Sequence, residues 1–209
     1  MRGLYAIADV TILSQRSLSV EEVARAMLQA RPAALQLRAK GASPREVLRL
    51  LRTIHPLCRE EGVPLFANDR PDLAMLAGCE GVHVGQDDLP VSTVRRIAPG
   101  LRVGVSTHTL AQFEQALSEG PDYIAFGPVF ATGSKTNPDA VVGLDALAQV
   151  AARSFLPVVA IGGIDLERAA AIGTTTHLGA AIAALLPSGD LSAITERTRA
   201  MHAALRGPA

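Results

Sequence analysis

The sequence predicts one α/β domain over residues 1–209, folded as a single (β/α)₈ TIM barrel. Two observations favour this fold. Eight short β-rich runs recur along the chain, and they look buried on both faces, as parallel strands covered by helices are. Amphipathic stretches with helical spacing separate them, and no linker or change in composition divides the chain into two domains. A doubly wound flavodoxin-like sheet would use fewer strands, so we regard it as the weaker interpretation.

Strands and helices are expected to alternate along the chain. The predicted strands cover residues 3–9, 33–38, 63–68, 81–85, 102–106, 122–127, 157–162 and 175–181. The predicted helices cover residues 19–31, 43–61, 71–77, 90–98, 109–119, 144–154, 165–172 and 190–205. Ser43 and Thr109 each stand at a helix start, where a side-chain oxygen can accept a hydrogen bond from a free backbone N–H group.

Composition excludes several classes of protein. Twenty basic and twenty acidic residues give a formal net charge of zero, without the basic excess of a nucleic-acid or anionic-membrane binder. Apolar residues make up 48% of the chain, which predicts a sizeable core, but no apolar run is long enough to span a membrane. We expect no signal peptide before the first strand, and two cysteines cannot build a disulfide framework. We therefore expect a cytoplasmic protein that binds neither nucleic acid nor membrane.

Barrel enzymes carry their chemistry on the loops at the carboxyl ends of the strands, and polar residues concentrate there in this sequence. Gln36, Arg38 and Lys40 alternate along the second strand, so all three side chains should project from the same face. Arginine and lysine suit phosphate groups. A solvated strand end explains this pattern equally well. The chain has only two lysines, Lys40 and Lys135, and both fall at predicted strand ends.

Two carboxylates, Asp69 and Asp88, follow the third and fourth strands, and the amide of Asn68 lies beside the first of them. Such a pair can hold Mg²⁺, which uses one or two carboxylates together with water and substrate phosphates. Asp69 has an alternative role as the cap of the helix that follows it. Asp87 can likewise cap the helix that begins near Pro90.

Two glycine-containing turns suit an anionic group. The stretch 132–135 follows the sixth strand, and Gly162 and Gly163 end the seventh. Small residues let backbone N–H groups approach a phosphate, and barrels often bind phosphate after strands seven and eight. Glycines also simply form tight turns. We expect His83 to be an interior histidine, whereas His108 is equally compatible with the site and with a structural role.

Taken in order, these motifs resemble the thiamine-phosphate synthase family. They read Gln-x-Arg-x-Lys, Asn-Asp, Gly-Val-His-Val-Gly-Gln-x-Asp-Leu-Pro, Gly-Val-Ser-x-His-Thr, Asp-Tyr-x-x-x-Gly-Pro-x-x-x-Thr-x-x-Lys and Ile-Gly-Gly-Ile. The resemblance covers most of the chain, from the first strand to the seventh. It implies a transferase that joins 4-amino-2-methyl-5-(diphosphooxymethyl)pyrimidine to a thiazole phosphate and releases pyrophosphate.

The resemblance also implies roles for individual residues. The residues expected to bind the pyrimidine diphosphate are Gln36, Arg38, Lys40, Asn68, Ser106 and Lys135, and those expected to bind the thiazole phosphate are Thr132, Gly133, Ser134 and Gly163. Asp69 and Asp88 are the expected Mg²⁺ ligands. Arg38, Lys40 and Lys135, together with Mg²⁺, would stabilise the departing pyrophosphate. The family's reaction then implies a carbocation-like pyrimidine that the thiazole nitrogen captures.

The eighth strand departs from the family pattern. The family carries a serine at its end, whereas this chain has alanine near Ala181. Backbone N–H groups of Ala180 and Ala181 remain available to a phosphate.

Two other functions compete with the transferase. A related thiazole tautomerase should have a histidine where this chain has Pro128, and a non-catalytic phosphate-binding barrel should have lost some of the charged site residues that are all present here. Barrels of this type are often dimers, so a homodimer is also expected.

Overall fold

The computed structural model describes residues 1–133, 139–187 and 190–207. Its strands are β1 (Gly3–Asp9), β2 (Ala34–Arg38), β3 (Leu65–Asn68), β4 (Gly81–Val84), β5 (Arg102–Thr107), β6 (Tyr123–Phe126), β7 (Val158–Ala160) and β8 (Leu178–Ala181). Each strand pairs in parallel with the next, and β8 pairs with β1 to close the barrel. The predicted (β/α)₈ barrel is confirmed.

Helices surround the barrel. They are α1 (Val10–Gln15), α2 (Val20–Leu28), α3 (Pro44–Glu61), α4 (Pro71–Ala77), α5 (Val91–Ile97), α6 (Leu110–Glu119), α7 (Gly143–Arg153), α8 (Leu166–Thr175) and α9 (Leu191–Arg206), with a 3₁₀ turn at Ala183–Leu185. Ser43 and Thr109 cap α3 and α6 as predicted, because their hydroxyl oxygens accept from the backbone N–H groups of Glu46 and Gln112 at 3.3 and 3.2 Å.

The bounds of several elements differ from the sequence prediction, and α1 and β8 are two of the clearest cases. Helix α1 was not predicted, since its residues Val10–Gln15 include β-branched side chains that favour strands. It forms because the carboxylate of Asp9 accepts from the backbone N–H of Ile12 at 3.1 Å and caps the helix. Strand β8 begins at Leu178, three residues later than predicted, because α8 continues through Thr174 and Thr175.

The barrel interior is filled by aromatic rings. Tyr5, Phe66 and Tyr123 are buried, and their ring centroids lie 5.6–5.7 Å apart. Gly104 makes this packing possible, because a Cβ atom at that position would lie 1.9 Å from Cζ of Tyr123. Tyr5 and Tyr123 also line the cavity described below, at the carboxyl ends of the strands.

A second apolar layer lies between the strands and the helices. Met27, Leu51, Ile54 and Phe113 point from α2, α3 and α6 onto the barrel and are fully buried. This burial supplies the main driving force for docking the helices. Within the described ranges, no helix is both long enough and apolar enough to cross a membrane.

Candidate active site

The carboxyl ends of the strands surround a cavity of about 740 Å³. The predicted site residues that line it are Gln36, Arg38, Lys40, Asn68, Asp69, Asp88, Ser106, Thr132, Gly133, Gly163, Ala180 and Ala181. Ser134 and Lys135 were also predicted, but they lie outside the described residues. The fold therefore brings together residues from seven strand ends that the sequence separates by up to 145 positions (36 to 181).

Arg38 is held by an acid that the sequence analysis missed. Strand register places Asp9 at the end of β1 directly opposite Arg38 on β2, and the two side chains form an ion pair. Asp9 is only 3% exposed, and its second carboxylate oxygen caps α1. Asp9 therefore holds the Arg38 guanidinium in place before any ligand binds. The signal was present in the sequence, since an acid ends the strand that neighbours the Arg38 strand.

Gln36 and Asn68 form an amide pair on adjacent strands. The Gln36 Nε2 group donates to Oδ1 of Asn68 at 2.8 Å. Gln36 is 2% exposed, which excludes the solvated strand end as its explanation. The bond fixes the orientation of both amides and leaves the Asn68 N–H₂ group as a donor on the cavity wall.

Asp69 and Asp88 converge as the sequence predicted. Burial and the neighbouring Asp88 carboxylate raise the pKa of Asp69 to about 6, against the opposing effect of Lys40 and Arg38. Lys40 Nζ lies 3.6 Å from Oδ2 of Asp69, and Oδ2 of Asp88 accepts from the backbone N–H of Gly85 at 2.7 Å. Two carboxylates and two cations thus share one part of the cavity wall.

The alternative capping roles do not occur. The cap position of α4 is Arg70, and that of α5 is Pro90, and neither helix has a side-chain capping bond. Asp69 instead adopts a left-handed backbone conformation with φ 63°, which asparagine and aspartate tolerate better than other residues with a side chain. Among the described residues, no group of three or more His, Cys, Asp or Glu side chains could bind a metal, so a cation here would depend on the Asp69–Asp88 pair.

A chain of hydrogen bonds crosses the barrel beneath these charges. The hydroxyls of Tyr5 and Tyr123 are 2.9 Å apart, and Tyr123 is 2.9 Å from Nδ1 of His83. Nε2 of His83 is 2.8 Å from Oγ of Ser106. Burial raises the pKa of Tyr5 and that of Tyr123 above the usual range, so both phenols stay neutral donors. His83 is the interior histidine that was predicted, and it also orients Ser106.

His108 has the structural role that the sequence left open. Its Nδ1 atom hydrogen-bonds the carbonyl of Gly127, and its Nε2 atom lies 3.4 Å from the carboxylate of Asp139. The first contact joins the end of β5 to the loop after β6, which begins with the cis peptide between Gly127 and Pro128. His108 also lines the cavity.

The loops after β6 and β7 lie against each other. Gly162 and Gly163 have φ angles of 89° and 64°. A Cβ atom on Gly162 would lie 2.3 Å from Cβ of Pro128, and one on Gly163 would lie 2.4 Å from the carbonyl oxygen of Ala131. Glycine is therefore required at both positions for conformation and for space.

Arg168, in the first turn of α8, is a second cavity residue that the sequence analysis missed. Its Nη1 group donates to the carbonyl of Gly163 at 2.8 Å, and its guanidinium carbon lies 4.8 Å from the centre of the Phe130 ring. Asp165 caps α8 and lies 3.5 Å from the same Nη1 group. No sequence pattern marks this position, since Arg168 is one polar residue of an amphipathic helix.

Comparison with known proteins identifies relatives of this barrel. A family model described as thiamine monophosphate synthase matches residues 4–186. A thiamine-phosphate synthase of Chloroflexus aurantiacus is 37% identical over 199 residues, covering 95% of this chain and 91% of that protein. A thiamine-phosphate synthase of Anaeromyxobacter dehalogenans is 44% identical over 185 residues, covering 88% of this chain and 83% of that protein.

The solved structure of a thiamine phosphate pyrophosphorylase from Pyrococcus furiosus has the same architecture. It superposes with a TM-score of 0.86 at 30% identity, and the match covers 98% of this chain and 95% of that chain. The similarity thus extends from β1 through β8 and includes every described residue of the cavity wall. This chain belongs to the thiamine monophosphate synthase family.

Proposed function

We propose that the cavity condenses 4-amino-2-methyl-5-(diphosphooxymethyl)pyrimidine with a thiazole phosphate to give thiamine phosphate and pyrophosphate. The observation that carries this proposal is the meeting of Arg38 and Lys40 with the Asp69–Asp88 pair on one wall of the cavity. Fixed cations beside paired carboxylates suit a diphosphate accompanied by a divalent metal ion. Membership of the family supports the same reaction.

The reaction needs charge stabilisation rather than a protein nucleophile. The bond between the methylene carbon and the diphosphate oxygen breaks, and its electron pair leaves with pyrophosphate. Arg38 and Lys40 stabilise that negative charge from positions that their ion pairs hold. We assign the same role to Lys135, which lies outside the described residues. The lone pair of the thiazole nitrogen then forms the new carbon–nitrogen bond to the pyrimidine cation.

Asp69 and Asp88 are the residues that would hold Mg²⁺. Their fit rests on charge: two carboxylates in contact raise the pKa of Asp69, and a divalent cation would relieve this repulsion. Mg²⁺ commonly uses one or two carboxylates and completes its shell with water and phosphate oxygens. When bound, it would neutralise charge on the diphosphate.

The remaining predicted residues divide between the two substrates. We assign Gln36, Asn68 and Ser106 to the pyrimidine diphosphate, since they lie on the strands that carry Arg38 and Asp69. Their side chains are oriented by the Gln36–Asn68 and His83–Ser106 hydrogen bonds. The thiazole phosphate is assigned to the other side, with the residues Thr132, Gly133, Ser134, Gly163, Ala180 and Ala181.

The two competing functions have less support. Pro128 lines the cavity at the position where a tautomerase should carry a histidine. A barrel that only binds phosphate has no need for the paired carboxylates beside two cations.

A pyrophosphate-release assay tests the proposal. Wild-type protein with both substrates and Mg²⁺ should form pyrophosphate and thiamine phosphate in equal amounts, and EDTA should stop the reaction. Omission of the thiazole phosphate should abolish thiamine phosphate. Binding of both substrates without pyrophosphate release would instead indicate a non-catalytic barrel.

A further inference from the structure

The part of the cavity wall formed after β7 and β8 is poor in side-chain hydrogen-bond donors. Ala180–Ala184 line it with four alanines and Ile182, and Gly162 and Gly163 contribute backbone alone. An anionic group bound there meets backbone N–H groups and any basic side chain within reach. The nearest basic side chain therefore decides how strongly that anion is recognised.

Arg168 is the basic residue on this side. Among the described residues that line the cavity, the lysines and arginines are Arg38, Lys40 and Arg168. Arg38 and Lys40 lie on and after β2, where they pair with Asp9 and Asp69. Arg168 alone of these three comes from the β7–α8 connection.

The contacts of Arg168 hold its guanidinium in place without using all of its donors. Nη1 donates to the Gly163 carbonyl, and the Phe130 ring lies against the guanidinium plane. Within the described part of the chain, Nε and Nη2 make no hydrogen bond to protein. The separation of 3.5 Å from Asp165 exceeds the 2.7–2.9 Å typical of a charge-assisted hydrogen bond, so this ion pair is weak.

We propose that Arg168 binds the phosphate of the thiazole substrate and is a specificity-determining residue for that substrate. The proposal rests on the function proposed above. A phosphate dianion is a stronger partner than the distant Asp165 carboxylate, and the guanidinium fork matches phosphate oxygens in geometry. Because the Arg168 side chain is 45% exposed, binding a phosphate there costs the guanidinium little desolvation free energy.

The test compares Arg168→Gln with the wild-type enzyme in steady-state kinetics. Loss of a charge-assisted hydrogen bond should raise the KM for thiazole phosphate about tenfold. The KM for the pyrimidine diphosphate should stay within about twofold, since its proposed site lies on the strands β2 to β5. Arg168→Lys, which keeps the charge but not the fork, should recover part of the lost affinity.

Arg199→Gln on α9 is the matched control, because Arg199 is exposed and does not line the cavity. It should leave both KM values unchanged. Thermal unfolding of each variant checks that the barrel stays folded. An unchanged KM for thiazole phosphate in Arg168→Gln overturns the proposal, and so does an equal rise in both KM values, which indicates a purely structural role.

Calorimetric binding of thiazole phosphate alone separates this inference from the proposed function. If wild-type protein releases no pyrophosphate, the proposed reaction fails. A dissociation constant for thiazole phosphate that is ten times larger in Arg168→Gln than in wild-type protein would still support Arg168 as the phosphate ligand. Equal dissociation constants for the two proteins would reject it.

Discussion

The cavity has two walls of different chemistry. The charged wall comprises Arg38, Lys40, Asp69 and Asp88, and the small-residue wall comprises Gly162, Gly163 and Ala180–Ala184. Arg38 is paired with Asp9 and Lys40 with Asp69, so these cations are held in place before a ligand arrives. The second wall instead presents backbone groups to a ligand, and its glycine turn is closely packed against the loop after β6.

This difference matches the two phosphate-containing groups of the proposed reaction. The diphosphate gains negative charge as it leaves, so it needs fixed positive charge where that change occurs. The phosphate of the thiazole substrate keeps its charge throughout, so the protein has only to bind and position it. Turnover should therefore depend on the charged wall, and affinity for the thiazole phosphate should depend on the small-residue wall.

The largest expected effect comes from removing one carboxylate of the charged wall. Asp88→Asn keeps an oxygen that can accept from the Gly85 N–H group but removes the charge. Mg²⁺-dependent turnover should fall at least a hundredfold, since a metal ion supplies several kcal/mol of charge stabilisation. Asp87→Asn, at the exposed neighbouring position, should retain activity. Full activity in Asp88→Asn would remove Asp88 from the metal site.

Lys135, which lies outside the described residues, stabilises the departing pyrophosphate in the proposed mechanism. Lys135→Ala should lower turnover by roughly a hundredfold, the scale for the loss of one electrostatic stabiliser. Lys135→Arg keeps the charge and should retain more activity than the alanine variant. Turnover numbers measured at saturating concentrations of both substrates give the comparison. A change below about threefold in Lys135→Ala would indicate that the lysine does not contact the leaving group.

Asp9 acts on the charged wall through Arg38. Asp9→Asn can still cap α1, because asparagine is also a good capping residue, but it loses the ion pair. We expect kcat/KM for the pyrimidine diphosphate to fall about thirtyfold, with the KM for thiazole phosphate unchanged.

The matched control for Asp9 is Asp190→Asn, which alters the cap of α9 away from the cavity. It should change neither substrate's kinetics. An equal loss for both substrates in Asp9→Asn would show that Asp9 supports the barrel in general rather than positioning Arg38.

The smallest expected effect concerns the small-residue wall. Ala181→Ser adds a hydroxyl to a residue that is 4% exposed, and it should lower the KM for thiazole phosphate by up to about tenfold if the hydroxyl reaches the phosphate. Crowding at this buried site can offset the gain in affinity. The informative result is therefore which substrate's KM changes, rather than whether that KM rises or falls. A change in the pyrimidine-diphosphate KM alone would reverse our placement of the two substrates.

Sequence reasoning was strongest where a local pattern decides the geometry. The alternation of Gln36, Arg38 and Lys40 places them on one face of any β-strand, and all three line the cavity. Asp69 and Asp88 each follow a predicted strand, and neighbouring parallel strands end at the same edge of a barrel. These positions follow from strand period and strand order alone.

The missed residues depend on contacts between distant segments. The role of Asp9 follows from its register with Arg38, which no pattern within β1 reveals. The role of Arg168 depends on the direction in which α8 leaves the Gly163 turn. The hydrogen-bond chain from Tyr5 through Tyr123 and His83 to Ser106 requires four strands of the barrel to meet.

The turn at Gly162 and Gly163 packs against the loop after β6, and this packing limits how the substrate specificity of the barrel can be changed. The backbone N–H groups of Val129 and Phe130 donate to the carbonyls of Ile161 and Gly162 at 2.8 and 3.1 Å, so the two loops share hydrogen bonds as well as space. A new loop grafted after β6 would lose these acceptors or collide with the old turn after β7. Redesign of the thiazole pocket must therefore replace the loops after β6 and β7 together. Natural divergence of the pocket should likewise have changed both loops together.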